Sequence, residues 1–168
     1  MLTYAKGFIS AMEPERTAYP VFPGFVEWAT LFTARSVMGS LVMIVDDHAI
    51  IRRMLRAVFE AEDWQVSDAK DGAEGVLKAQ ELKPSLIILD LSMPVMNGLE
   101  AARALKLLMP HVPLLMFTNN AGAAMEEEAR SAGISAVVCK SDSDSSTRLV
   151  AHARALLGLG GTDARCVS

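Results

Sequence analysis

The sequence predicts an α/β protein in which helices cover both faces of a doubly wound, five-stranded parallel sheet. Five short apolar runs alternate with segments of helical periodicity. Each strand–helix unit takes about 20 to 25 residues, and five units are too few for a closed eightfold barrel. Hydrophobic residues make up 51% of the 168-residue chain, which is enough to build the core of one ordinary domain.

The first half of this domain contains two strands and two helices. Residues 41–45 form a continuous apolar run, as expected of a strand that is buried on both faces. Over residues 50–62, apolar side chains recur every three or four positions and predict one buried helix face. A shorter strand at 64–68 comes next. The helix over 71–82 then begins at Asp71, whose carboxylate can cap the first turn.

The second half repeats the alternation three times. Residues 86–89 form a fully apolar strand that ends at Asp90. Pro110 stops the helix over 99–108. Gly133 ends the helix over 123–132, as a glycine often does at a helix C-terminus. The remaining elements are a helix over 99–108, a strand over 113–117, a helix over 123–132, a strand over 135–139 and a final helix over 142–157.

Residues 1–37 differ in composition from the predicted domain at 38–158. Their three prolines exclude one continuous helix. We predict a weakly ordered N-terminal extension or a short helix at about 23–35. Translation from Met38 is an open alternative, because this methionine immediately precedes the first strand run. Residues 159–168 are predicted to form a flexible tail.

Charge and cysteine content exclude several classes of protein. The chain has 16 lysines and arginines against 20 aspartates and glutamates, for a formal net charge of −4. Without a basic stripe, we expect no direct nucleic-acid binding. Cys139 and Cys166 are too few for a disulfide framework. No apolar run reaches the roughly 18 residues of a membrane span, and no secretory signal is evident, so a cytoplasmic protein without membrane contact is expected.

Polar side chains follow four of the five predicted strands. Asp46 and Asp47 follow the first strand, Asp90 the third, Thr118 the fourth and Lys140 the fifth. Taken singly, each has an ordinary explanation, such as a helix cap for Asp47. Ligands bind at the carboxyl ends of parallel strands, so we expect all five side chains to converge there.

The predicted cluster of carboxylates suits Mg²⁺. Three carboxylates within about 5 Å repel by several kcal/mol per pair, so either some are protonated or a cation lies among them. Oxygen ligands without histidine or cysteine match the preference of Mg²⁺. Lys140 can partly neutralise the same cluster. We interpret His48 as a helix-start residue, because a Mg²⁺ site has little use for imidazole.

One of these carboxylates can also accept a phosphoryl group. Asp90 is the best candidate, because it ends a central strand and the loop at 92–94 offers backbone groups beside it. The ammonium of Lys140 and a bound cation would neutralise charge on the transferring oxygens. The hydroxyl of Thr118 can donate a hydrogen bond to the new phosphoryl group.

Residues 41–157 resemble the receiver domain of two-component response regulators. The resemblance rests on Val-Asp-Asp-His at 45–48, Asp-Leu-Ser-Met-Pro-Val-Met-Asn-Gly at 90–98, Phe-Thr at 117–118, and Lys140. The Asp-x-x-Met-Pro-x-x-x-Gly string is highly specific for this family. The resemblance implies a flavodoxin-like fold with strand order 2-1-3-4-5.

The resemblance also implies the roles of the site residues. Asp90 would receive phosphate from a sensor histidine kinase or a His-phosphotransfer protein, and a downstream effector protein or a second copy of the chain would respond. Asp47, Asp90 and the Ser92 carbonyl would bind Mg²⁺, with Asp46 joining through water. The phosphoryl oxygens would be contacted by Thr118 and Lys140.

Some positions depart from the family pattern. Val137 stands where most receivers have Tyr or Phe, and Ser141 stands where Pro usually follows the lysine. The pattern resembles most closely the receivers that are normally fused to a helix-turn-helix output domain. Only about eleven residues follow Leu157, so a stand-alone receiver or a piece of a longer regulator is expected.

Two other functions stay open. The first is a receiver that docks or dimerises without phosphorylation, which the missing aromatic residue at Val137 favours. The second is a Mg²⁺-dependent phosphatase with an aspartyl-phosphate intermediate. Related phosphatases place a general-acid aspartate two residues after the nucleophile, whereas this chain has Ser92 there.

Overall fold

A computed structural model describes residues 39–159, in which five strands alternate with five helices. The strands are β1 (Leu41–Val45), β2 (Gln65–Ala69), β3 (Leu86–Leu89), β4 (Leu114–Thr118) and β5 (Ala136–Cys139). The helices are α1 (Ala49–Glu60), α2 (Gly72–Leu82), α3 (Gly98–Leu108), α4 (Ala123–Ser131) and α5 (Ser145–Leu156). The predicted extension over 1–37, with its short helix and the alternative start at Met38, lies outside the described residues. So does the predicted tail beyond residue 159.

All five strands are parallel and lie in the order β2-β1-β3-β4-β5, which confirms the predicted doubly wound, flavodoxin-like sheet. Val45 at the end of β1 is level with both Ala69 and Leu89 on the neighbouring strands. Thr118 at the end of β4 is level with Cys139 on β5. The residues that directly follow these strands therefore emerge at one edge of the sheet.

Alternate side chains along the strands point into two apolar layers, one on each face of the sheet. Val42 and Ile44 pack against α1 and α5, where Leu149 belongs to the same buried cluster. Met43 and Val45 point the other way, into a cluster covered by α2, α3 and α4. Burial on both faces explains why β1, β3 and β4 have continuous apolar runs instead of alternating ones. No helix within residues 39–159 is both long and apolar enough to cross a lipid bilayer.

Helix starts and ends follow local signals in the sequence. The Asp71 carboxylate accepts a hydrogen bond from the Glu74 amide at 2.8 Å, as predicted for the cap of α2. Gly133 follows α4 with a φ of +86°, a conformation that favours glycine. Helix α3 starts at Gly98, one residue earlier than predicted. Its N-terminus is stabilised by a capping box formed by Asn97 and Glu100.

Two further element boundaries differ from the prediction for identifiable reasons. Strand β2 begins at Gln65, one residue later than predicted, because Trp64 follows the turn at 61–63 and stacks on Phe59 with 5.3 Å between ring centroids. Helix α5 begins at Ser145 and not at residue 142. The Ser145 amide donates to the Asp142 carbonyl in a turn that takes up the intervening residues.

The layered core predicts that the same substitution at two nearby positions of α3 lowers the free energy of unfolding by very different amounts. Leu105 is 1% exposed and Leu107 is 86% exposed. Leu105→Ala should lower the free energy of unfolding by about 2–5 kcal/mol, since it leaves a cavity in the core. Leu107→Ala should change it by less than about 0.5 kcal/mol. Urea unfolding followed by circular dichroism measures both, and equal losses would contradict the described burial.

Candidate functional site

The ends of three strands bring Asp46, Asp90 and Lys140 into direct contact. The Asp46 amide donates to the Ala69 carbonyl and the Asp90 amide to the Val45 carbonyl, so each aspartate extends the sheet hydrogen bonding by one residue. The Lys140 ammonium then lies 2.7 Å from Asp46 Oδ2 and 2.8 Å from Asp90 Oδ1. One lysine therefore bridges two carboxylates that belong to different strands.

This ammonium compensates for carboxylates that have little access to water. Asp46 is 2% exposed and Asp90 is 5% exposed. A buried carboxylate without a partner would be strongly destabilising. Burial alone would lower the pKa of Lys140, but the hydrogen bonds and charges of both aspartates outweigh burial and raise that pKa. Lys140 is therefore cationic at neutral pH.

Thr118 is held beside the bridge through the main chain. It is the last residue of β4, and its carbonyl accepts a hydrogen bond from the Lys140 amide at 2.9 Å. Its side-chain oxygen accepts one from the Asn120 amide at 3.2 Å. This contact uses the hydroxyl only as an acceptor, so its proton is available to a ligand.

The predicted phosphoacceptor lies in a cavity that opens at the carboxyl edge of the sheet. The cavity has a volume of about 350 Å³. The Ser92 amide donates to Asp90 Oδ2 at 3.1 Å and orients the carboxylate from the side opposite Lys140. The structure thus brings four of the predicted site residues to one cavity. Its lining consists of His48, Ile51, Asp90, Ser92, Thr118, Asn119, Asn120 and Lys140.

The loop after β3 turns back sharply toward Asp90. Val95 has a φ of +68°, which a β-branched residue rarely adopts, and the Met96 amide donates across it to the Pro94 carbonyl at 2.7 Å. The loop returns at Gly98, where a Cβ atom would lie 2.1 Å from the Asp90 carbonyl oxygen. This close approach gives a physical reason for the glycine eight residues after the aspartate.

Asp47 lies next to the bridge but outside its hydrogen bonding. Its Oδ1 atom is buried and accepts no hydrogen bond. His48 Nδ1 is 2.6 Å from that oxygen, which is within ion-pair distance. Ligand atoms of Asp46, Asp47 and His48 all lie within 4.8 Å of one another, the one such group of three within residues 39–159. A buried carboxylate oxygen that accepts no hydrogen bond and lies beside a second carboxylate fits a divalent cation that prefers oxygen.

Only part of the predicted set of Mg²⁺ ligands therefore lies together in the structure. Asp46 and Asp47 lie together, whereas Asp90 is outside this group and directs Oδ1 to Lys140. Metal binding by Asp90 and by the Ser92 carbonyl stays a prediction.

His48 is the site residue that the sequence reasoning did not assign. It occupies the N-cap position of α1, as a helix-start residue should, but its side chain makes no capping hydrogen bond. Its amide instead donates to Asp46 Oδ1 at 2.8 Å, and its ring lies beside Asp47. The signal in the sequence was its position directly after two aspartates at the end of a strand.

Comparison with known proteins agrees with this architecture. Residues 42–153 match the response regulator receiver domain family. The chain belongs to that family. Chemotaxis protein CheY of Thermotoga maritima is 35% identical to this receiver over 104 residues, which make up 61% of this chain and 87% of CheY. The structure of a LuxR-family two-component response regulator from Aurantimonas superposes with a TM-score of 0.66 at 32% identity. That match covers 70% of this chain and 84% of the other.

Other relatives are much longer than the matching region. A protein-glutamate methylesterase/protein-glutamine glutaminase of Caldanaerobacter subterraneus is 42% identical over 102 residues, which cover 59% of this receiver but 28% of the relative. The receiver thus spans most of CheY and less than a third of the methylesterase. Because these proteins differ in kind, the matches establish the receiver domain without selecting one subclass of regulator.

The close approach at Gly98 predicts a site-specific loss of stability. Gly98→Ala should lower the free energy of unfolding by about 1–3 kcal/mol, because the new methyl group collides with the Asp90 carbonyl. Gly122→Ala is the matched control, since Gly122 has extended backbone and open space around its Cβ position. The control should cost less than about 1 kcal/mol. Urea unfolding compares the two variants, and equal losses would contradict the described packing.

Proposed function

We propose that this receiver is a phosphorylation switch in which Asp90 accepts a phosphoryl group from a sensor histidine kinase or a His-phosphotransfer protein. A downstream effector protein then distinguishes the two states. The observation that carries this proposal is the Lys140 ammonium, 2.8 Å from Asp90 Oδ1 and 2.7 Å from Asp46 Oδ2. It neutralises charge at the point where an incoming phosphoryl group would add more.

The transfer step forms one bond and breaks one. A carboxylate oxygen of Asp90 attacks the phosphorus atom, the bond from phosphorus to the donor imidazole nitrogen breaks, and the imidazole keeps the electron pair. The Ser92 amide and Lys140 hold the two carboxylate oxygens, which fixes the direction of attack. Orientation of the acceptor in this way lowers the entropic part of the barrier.

Mg²⁺ is the cation that the carboxylates fit. Asp46 and Asp47 would hold it, and Asp90 with the Ser92 carbonyl are the proposed additional ligands. When bound, Mg²⁺ neutralises negative charge on the transferring oxygens. The buried Oδ1 atom of Asp47 supports this assignment, because it accepts no hydrogen bond and lies beside a second carboxylate.

Phosphorylation would be transmitted through Thr118 and Lys140. The modification adds a charge of about −1.5 to −2, to which the Lys140 ammonium and the Thr118 hydroxyl can both bind. The two residues share a main-chain hydrogen bond where β4 and β5 end. A shift of either one therefore moves the start of the segment leading to α4 or the end of β5. We assign the partner surface to α4 and β5, with a second copy of this chain as the alternative partner.

The local chemistry favours a switch over a phosphatase that turns over substrates. Ser92 occupies the position where the related phosphatases carry a general-acid aspartate, and a hydroxyl is far less acidic than a carboxyl group. Docking without phosphorylation is the second candidate. Val137 favours it, because this half-buried residue of β5 provides no aromatic ring to change orientation with Thr118.

The acceptor assignment predicts that one substitution removes labelling. With acetyl phosphate and Mg²⁺, the full chain should gain one phosphoryl group by intact mass, and Asp90→Asn should gain none. Asp63→Asn is the control. Asp63 lies in an exposed turn at the other end of the sheet, with a φ of +60° that asparagine tolerates. Full labelling of the Asp90→Asn chain would overturn the proposal.

The transmission step predicts that labelling and conformational response can be separated. Lys140→Ala should still be labelled at Asp90, more slowly, but amide chemical-shift changes across α4 and β5 should be lost. Nuclear magnetic resonance spectra with and without acetyl phosphate measure the response, and the unlabelled spectrum reports whether the variant is folded. Unchanged shifts in the phosphorylated wild-type chain would support docking without phosphorylation. A full response in the variant would show that Lys140 does not transmit the signal.

A further inference from the structure

We propose that His48 is a direct ligand in the divalent-cation site and that it shifts the preference of the site from Mg²⁺ toward Mn²⁺ and Co²⁺. The inference rests on the proposed function, because it concerns the same cation. It adds a nitrogen ligand to the oxygen ligands from Asp46 and Asp47, and it gives the site a chemical selectivity that its carboxylates alone would not have.

The positions of the three side chains match those of adjacent metal ligands. His48 Nδ1 is 2.6 Å from Asp47 Oδ1 and 3.6 Å from Asp46 Oδ1. Around a six-coordinate ion with bonds of about 2.1 Å, neighbouring ligand atoms are about 3 Å apart. The two distances bracket that value. One ion can therefore contact all three residues with small changes in side-chain rotamer.

The ring of His48 lies against the two aspartates of the proposed site and does not cap its own helix. It makes no capping hydrogen bond to α1, and its side chain is 68% exposed. Its Nδ1 atom contacts Asp47 Oδ1 at 2.6 Å, and a bound ion would replace this contact. The main chain of His48 is nevertheless fixed, because its amide donates to Asp46 Oδ1 at 2.8 Å. A fixed backbone with an imidazole already directed at two carboxylates suits a ligand that closes on an ion.

The ligand chemistry then determines which ions gain from His48. Mg²⁺ strongly prefers oxygen and keeps several waters, so a nearby imidazole adds little to its binding. Nitrogen ligands suit the first-row transition metals, and their affinity for a given site rises from Mn²⁺ to Co²⁺. A neutral imidazole also adds a ligand without adding negative charge. His48 should therefore strengthen Co²⁺ binding most, Mn²⁺ binding less and Mg²⁺ binding least.

The first test compares the three ions on the full chain. Isothermal titration calorimetry with Mg²⁺, Mn²⁺ or Co²⁺ gives dissociation constants for the wild-type protein, for His48→Phe and for His111→Gln. His48→Phe keeps a ring of similar size without nitrogen, and the exposed His111 is a matched control away from the cavity. In His48→Phe we expect about tenfold or greater weakening for Co²⁺, several-fold for Mn²⁺ and less than about twofold for Mg²⁺. The control should match the wild type.

The second test detects the nitrogen directly. Pulsed electron paramagnetic resonance of the Mn²⁺ complex should show coupling to a bound ¹⁴N nucleus in the wild type, and His48→Phe should lack it. Equal weakening for all three ions, or no coupling in the wild type, would overturn the role of His48. Labelling of Asp90 in the presence of Mg²⁺ would still support the proposed function in that case. If none of the three ions binds the wild-type chain, both the inference and the proposed Mg²⁺ site fail.

Discussion

Lys140 places one positive charge between the buried carboxylates of Asp46 and Asp90, and the rest of the site depends on this contact. The three residues follow different strands, so the bridge forms only when β1, β3 and β5 have the correct order and register. A shift of one residue in register would turn alternate side chains to the opposite face and separate the charges. Packing of the apolar core sets that register. The site residues occupy the positions that directly follow the strands, at the edge of the sheet.

Helix α1 holds the main chain of Asp46 from a second direction. Arg52 donates to the Asp46 carbonyl at 2.7 Å and to Asp68 Oδ2 at 3.1 Å. Arg56 pairs with the same Asp68 and also donates to the Val66 carbonyl at 2.9 Å. These contacts connect α1 to β2 beside the site. Because they are partly exposed, each should contribute less to stability than the buried Lys140 bridge, and their main effect is to fix position.

The sequence alone predicted the sheet order through the family resemblance, and the strand-end logic predicted the convergence of Asp90, Thr118 and Lys140. Both depend on apolar runs and strand ends, which are strong local signals. The predicted start of α5 at residue 142 was wrong by three residues, because the chain forms a turn there before the helix begins at Ser145. The ring position of His48 could not be predicted from a pattern, because a side-chain rotamer depends on neighbours that meet only after folding.

The two apolar layers are assembled from different parts of the chain. The layer under α2, α3 and α4 uses helices from the middle of the domain, whereas the opposite layer needs α1 from its beginning and α5 from its end. During synthesis on the ribosome, the sheet face under α1 therefore stays partly uncovered until Leu149 and Ala153 of α5 have been made. Until then the nascent chain exposes part of the apolar surface of β1, β3 and β4, which is the stage at which chaperone binding or aggregation would act on this protein.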